Sequence, residues 1–263
     1  MITLYDMGPT APGGLPTYPE DHASICCLNY LTRALIDVSL RFTLNYKKLP
    51  FEIKPIAPDD IEATAKAVGA PHTSILANGK PRYTIPFIQD HNTGKAISDS
   101  FRIAEYLDEA YPDTPKVIPD GTRALQLVFI DALTPKFMLL IPVVFPKFEE
   151  LFPGFIDGRR KVYGGGPDSP YPDFPQFTEE QKKGMWAQAK ESFGQLEAAY
   201  GEEKLWIMGA KPVFADFALS VFFVTLMVAC GEESEEWKDV SGWAGGRIGR
   251  LVEETLKYRS PAA

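Results

Sequence analysis

The stretch from Lys80 to Pro112 restricts what this chain can fold into more than any other part of it. Arg82 to Thr84 run into Ile85-Pro86, and Phe87-Ile88 then resume an apolar strand. A proline between two apolar runs removes a ladder donor, so the pattern calls for an edge, a bulge or a cis turn. Asn92-Thr93-Gly94 supplies hairpin turn chemistry. Ser98-Asp99-Ser100 then offers side-chain oxygens ahead of a helix whose inward face reads Ile103, Tyr106, Leu107 and Ala110. The order expected is strand, turn, strand, tight bend, helix.

A helix start leaves backbone N–H groups unpaired and carries partial positive charge, which suits a carboxylate. An aspartate beside it suits an ammonium. A molecule with both groups at one end is an amino acid or a γ-glutamyl peptide. The competing reading is that Asp99 and Ser100 only cap the helix.

Thr84-Ile85-Pro86-Phe87-Ile88 and Ile97-Ser98-Asp99-Ser100, followed by Ile103-Ala104-Glu105-Tyr106-Leu107, resemble the second half of the glutathione-binding domain of glutathione transferases. The resemblance implies that Ile85, ahead of a cis Pro86, presents its backbone to the cysteinyl part of glutathione. It implies too that Asp99 and Ser100 hold the γ-glutamyl end. Lys47-Lys48-Leu49-Pro50-Phe51 is similar to the exit from the family's first helix, and Met1–Asp6 to its first strand. The fold implied is a cytosolic glutathione transferase: a thioredoxin-like α/β domain over 1–112, a linker at 113–116 and an all-helical domain over 117–263. The fungal-specific class A transferases, related to the bacterial β-etherases, are the most similar group.

In that family the loop after the first strand delivers a hydroxyl or thiol that stabilises the glutathione thiolate at a helix N-terminus. Setting Tyr18-Pro19 on the group's Ser-Pro, and Arg41 to Asn45 on its helix, leaves residues 24–39 unmatched. These residues extend the helix, since Leu28, Leu31, Leu35, Val38 and Phe42 recur at helical steps, or they are translated from a retained intron. Tyr18 and Ser24 are the candidate catalytic residues. Each has a bland alternative, loop packing for Tyr18 and an N-cap for Ser24. Cys26 and Cys27 are the candidates for a glutaredoxin-like thiol reductase; His22 has no visible partner.

Downstream of the linker the periodicity is helical. Thr122 to Leu140 reads as one long helix kinked at Pro135, with a further turn from Phe145 to Phe152. Residues 153–177 form a Gly-Pro-aromatic connection whose Tyr163, Tyr171, Phe174 and Phe177 are candidates to cover an apolar substrate. Thr178 to Gln181 forms a capping box. Lys211 to Leu219 is similar to the family's folding signature, with Val213 where the family has Ser or Thr, which leaves Asp216 to supply the local hydrogen bonds. Glu232 to Tyr258 closes the chain with one or two helices.

The net charge of −8 and unclustered basic residues argue against nucleic acid. Three cysteines and the isolated His22, His72 and His91 offer neither a disulfide framework nor a metal site. Without a signal-like or membrane-spanning run, a cytoplasmic protein is expected. The family resemblance implies attack of glutathione thiolate on an apolar aromatic electrophile, in detoxification or in a ligand-carrying (ligandin) role, with glutathione as co-substrate, no metal, and a homodimer. A non-catalytic glutathione or hydrophobic-ligand binder is the alternative, and the second substrate is not encoded legibly.

Overall fold

The computed structural model describes residues 1–6, 39–56, 60–76, 79–151, 177–200 and 204–259. Its strands are β1 (Ile2–Asp6), β2 (Phe51–Pro55), β3 (Ser74–Ile75), β4 (Pro81–Arg82), β5 (Phe87–Asp90) and β6 (Lys95–Ser98). β3 and β4 form a separate small hairpin, and the other four make a mixed sheet in the order β2-β1-β5-β6. β1 runs parallel to β2 and antiparallel to β5, which pairs antiparallel with β6.

Alternation along β1 divides its side chains between two layers of helix. Ile2 and Leu4, with Ile88, face Leu40 and Leu44 of the helical residues 39–46 (α1) and Ile103 and Leu107 of α3 (Ser100–Ala110). Tyr5 and Phe87 face the other way, stacked at 4.7 Å, against Ala65 of α2 (Ile61–Val68). α2 ends at Gly69, whose φ of 77° is the left-handed cap. This is the thioredoxin-like α/β layer arrangement expected of the first part.

Apart from one isolated bridge between Trp206 and Gly209, the described chain after β6 is helical. It comprises α4 (Arg123–Met138), α5 (Ile141–Leu151), α6 (Glu179–Tyr200), α7 (Phe214–Cys230), α8 (Glu235–Ser241) and α9 (Trp243–Leu256). α7 is the central rod, apolar nearly all round. Phe217 and Phe223 are fully buried, and a buried phenylalanine contributes about 1.5–3 kcal/mol relative to an exposed one. The same core takes in Phe42, Phe101 and Ala104 from α1 and α3, with Phe101 edge-on to Phe214 at 5.4 Å. The two parts of the chain thus meet across a shared apolar cluster, while the sheet keeps two clusters of its own.

The helix after the linker keeps the expected span. α4 contains Pro135 and ends at Leu139-Leu140, where the 72° turn into α5 begins. Pro135 and Asp131, the residue whose carbonyl it leaves unmatched, are both exposed, so that carbonyl is not stranded in the core. Tighter contacts, Leu139 N–H to the Lys136 carbonyl and Leu140 N–H to the Phe137 carbonyl, end the helix instead. α5 accordingly starts at Ile141, ahead of the expected Phe145. No single helix among the described residues is long and apolar enough to cross a membrane.

Two caps follow the sequence closely. Gln181 N–H donates to Thr178 Oγ1 at 3.2 Å while Thr178 N–H donates to Gln181 Oε1 at 2.8 Å, a reciprocal capping box. Val213 has no side-chain acceptor, and the fully buried Asp216 carboxylate accepts from Val213 N–H at 2.9 Å and Ile207 N–H at 2.8 Å. Burial outweighs these amides and pushes the Asp216 carboxyl up to about 7. The closing segment forms two helices. At the start of α9, Ala244, Gly245 and Gly246 are left-handed in succession, a backbone that favours glycine, and a Cβ on Gly245 would displace the Glu197 carboxylate, which it would meet at 2.5 Å.

Candidate functional site: one end of the sheet

Strand register gathers the sequence-derived binding residues at a single end of the sheet. Tyr5 lies opposite Phe87, and Phe87 opposite Ser98. The C-terminal end of β1, the entry to β5 and the exit from β6 therefore coincide. Ile85-Pro86 precedes β5 and is cis, which decides between the edge, bulge and cis-turn readings. β5 begins only at Phe87, so the main-chain groups of Ile85 stand outside the ladder while its side chain is buried. Asp99-Ser100 follows β6 directly.

Asp99 occupies the N-cap of α3 with φ 77° and ψ 122°, an uncommon backbone for a residue with a Cβ. Its Oδ1 accepts from Arg102 N–H at 3.1 Å, so the capping role is real. The cap still leaves Asp99 half-exposed, and Ser100, the first helical residue, sits buried beside it. An anionic group next to free helix N–H groups is the combination that suits an α-amino acid terminus. Strain of this kind, about 1–3 kcal/mol for such a backbone, collects at ligand-holding positions.

The hairpin and α3 are fixed to each other by a polar cluster. The Asp90 carboxylate, fully buried, accepts from Tyr106 Oη at 2.6 Å, Tyr111 Oη at 2.7 Å and Asn92 N–H at 2.9 Å. Burial acts to raise its carboxyl, but these bonds prevail and hold it below the usual range. Burial and the bond to Asp90 push the Tyr106 phenol up to about 12.

Two buried ion pairs that local pattern did not reveal complete the frame. Arg41 of α1 binds Asp6, the last residue of β1, through Nε at 2.9 Å and through Nη2. Lys47 Nζ, with a side chain that has no exposure, donates to Asp108 Oδ1 at 2.6 Å and to the Pro115 carbonyl at 3.0 Å. Asp108 also accepts from Val117 N–H at 3.0 Å and Ile118 N–H at 2.7 Å. The Val117 carbonyl in turn accepts from Phe214 N–H at 2.9 Å. No sequence signal singled these charges out: Asp108 shares α3 with Arg102, Glu105 and Glu109, and Lys47 stands beside Lys48 just past α1.

Tyr18, Ser24, Cys26, Cys27 and His22 lie outside the described residues, as do Tyr163, Tyr171 and Phe174. β1 nonetheless ends where Ile85, Pro86, Asp99 and Ser100 converge, so the chain enters residues 7–38 from the site. Cys230 is half-buried; burial and then the nearby Glu236 push its thiol up to about 11, leaving it protonated and unreactive near neutrality. His91 Nε2 contacts Thr3 Oγ1 at 2.9 Å and His72 packs edge-on to Tyr83. Among the described residues no three His, Cys, Asp or Glu side chains group to hold a metal.

The family model described as "Glutathione S-transferase, N-terminal domain" matches residues 39–110, and "Glutathione S-transferase, C-terminal domain" matches residues 124–258. The first match opens at residue 39, where the unmatched stretch closes. Glutathione transferase GSTFuA3 from Phanerochaete chrysosporium superposes with a TM-score of 0.77 at 27% identity, covering 100% of this chain and 98% of that one. A glutathione S-transferase of Ceriporiopsis subvermispora, crystallised with glutathione, gives 0.73 at 30% identity over 97% of this chain and 98% of that one. The curated "Glutathione S-transferase-like protein ustS" of Aspergillus flavus is 27% identical over 240 residues, 84% of this chain and 83% of that protein. With both halves of the family matched and the thioredoxin-like and helical parts in their places, the chain belongs to the glutathione S-transferase family.

Proposed function

We propose that the protein binds glutathione at the end of the sheet where Ile85, Pro86, Asp99 and Ser100 meet, and adds or exchanges its thiolate on an apolar aromatic electrophile. The observation that carries this reading is the convergence of a cis Ile85-Pro86 and a strained, half-exposed Asp99 at the N-terminus of α3. The free main chain of Ile85 aligns the cysteinyl part by strand-like pairing. Asp99 takes the γ-glutamyl ammonium, and Ser100 with the α3 amides takes its carboxylate. Tyr18 or Ser24 stabilises the thiolate, and an apolar cavity between the two parts receives the electrophile. A cytoplasmic homodimer is the assembly this reading implies.

Because Asp99 also caps α3, the informative variant is Asp99→Asn, which keeps the cap acceptor and removes the charge. Calorimetry should show glutathione affinity falling by roughly 10- to 100-fold, the worth of one hydrogen bond to a charged group. The thermal midpoint should hardly move. Unchanged affinity overturns the assignment. Conjugation of an aryl halide by the wild-type chain separates a transferase from a carrier that binds without turnover. Residues 24–39 extend the first helix or are translated intron, Ser24 being a candidate in the first case alone, and sequencing the transcript across them decides between the two.

A further inference from the structure

The helical part holds a cleft of about 580 Å³ between α5, α6 and α8. None of the residues proposed to hold glutathione lines it. Its size lies within the range of small-molecule sites, about 300–1,000 Å³.

The walls are apolar and held in place. Pro142, Val143 and Pro146 of α5 face Trp186 of α6. The Trp186 indole N–H donates to Asp239 Oδ2 at 2.8 Å, and its ring stands edge-on to Trp243 at 5.3 Å. Asp239 is itself held by Lys190 at 2.6 Å. The indole is thus locked from behind, at no further rotamer cost on binding, and can serve as a flat wall.

The rim carries four lysines and four carboxylates, which sum to zero. Six of these charges pair with each other: Lys190 with Asp239, Lys182 with Glu179 at 2.8 Å, and Lys147 with Glu150 at 3.4 Å. Lys183 and Glu236, one of each sign, complete the rim. A ligand ion would bring a charge that this balanced rim does not call for, and would lose hydration against indole and proline. We infer that this cleft is a second small-molecule site, distinct from the glutathione end of the sheet, and that it takes flat, uncharged aromatic molecules stacked on Trp186.

The test is fluorine NMR of the 5-fluorotryptophan-labelled protein, with Trp186→Phe assigning the resonance. The probes are 2-naphthol, uncharged at pH 7, naphthalene-2-carboxylate and 2-naphthylmethylammonium. The Trp186 signal should shift saturably with 2-naphthol, and affinity for it should exceed that for either ion by about fivefold or more, reflecting the cost of desolvating a charge. S-hexylglutathione should not displace it. Ala187→Arg places a long side chain in the cleft from an exposed position of α6, so the fold should survive. It should weaken 2-naphthol binding by about tenfold or more, because a cation then occupies the apolar wall. The inference is overturned if other tryptophan signals move while Trp186 does not, if either ion binds as tightly, if S-hexylglutathione displaces the probe, or if Ala187→Arg leaves binding unchanged.

Discussion

Removing the Asp108 carboxylate should destabilise this protein out of proportion to the size of the side chain. In Asp108→Ala the Lys47 ammonium stays sealed from solvent with one neutral partner, the Pro115 carbonyl, and the amides of Val117 and Ile118 lose their acceptor. An ammonium stranded in this way costs about 3–5 kcal/mol. An unpaired buried amide costs about 1–3 kcal/mol, which places the total at the upper end or above it. Against a typical stability of about 5–15 kcal/mol, that is a third or more of what holds the fold. Lys47→Met/Asp108→Leu removes both charges together, so the double variant should recover much of the loss; the two amides set how much remains. Urea denaturation followed by far-ultraviolet circular dichroism and by tryptophan fluorescence measures all three. A loss below about 1 kcal/mol in Asp108→Ala, the worth of an exposed pair, would refute the reasoning. So would a double variant whose loss equals the sum of the single ones.

Two further perturbations test the polar interior through pH. The Asp216 carboxyl is raised in the folded state, so its contribution is complete below the unfolded value near 4 and is lost as pH rises through about 7; Asp216→Asn should flatten the fall in stability between those limits, and an unaltered slope would clear Asp216 of responsibility. The Tyr106 phenol is likewise raised, so its contribution holds below about 10 and disappears as pH climbs towards about 12, while the depressed Asp90 carboxyl contributes above about 4 and fails as acid protonates it. Tyr106→Phe should cost about 1.5–3 kcal/mol at neutral pH, the worth of a bond to a charged acceptor, and weaken both limbs of the profile.

What could be read from the sequence was what local chemistry decides. A proline between apolar runs, a turn tripeptide and three oxygen-bearing residues before a periodic segment were enough to foresee β5, β6 and α3. The loss of a hydroxyl at Val213 was enough to assign Asp216 its amides. Pairings across long separations were not legible in this way. Lys47 meets Asp108 across 61 residues and Arg41 meets Asp6 across 35, and each of these charges was compatible with many partners. The span of α4 was legible, since the helix read from Thr122 to Leu140 runs from Arg123 to Met138. The lock of Trp186 by Asp239 depends on how α6 and α8 lie against each other, 53 residues apart, which no window of sequence contains.

The common interior of the two parts has a consequence for the boundary near residue 112 proposed from the sequence. There the chain changes character, from strands and helices to helices alone; two buried clusters, around Leu4 and around Phe87, belong wholly to the first part, while a third crosses the seam. Phe42, Phe101 and Ala104 are enclosed by Phe214, Phe217 and their neighbours, and Asn45 Nδ2 reaches the Tyr258 carbonyl at 2.8 Å, beside the far end of the sequence. The first part on its own would therefore carry an unclad aromatic face with a sealed lysine opening onto it. Either half would need the other to be synthesised and docked before it was safe from self-association. Recombination at the apparent seam would trade the cluster that crosses it for two sticky surfaces.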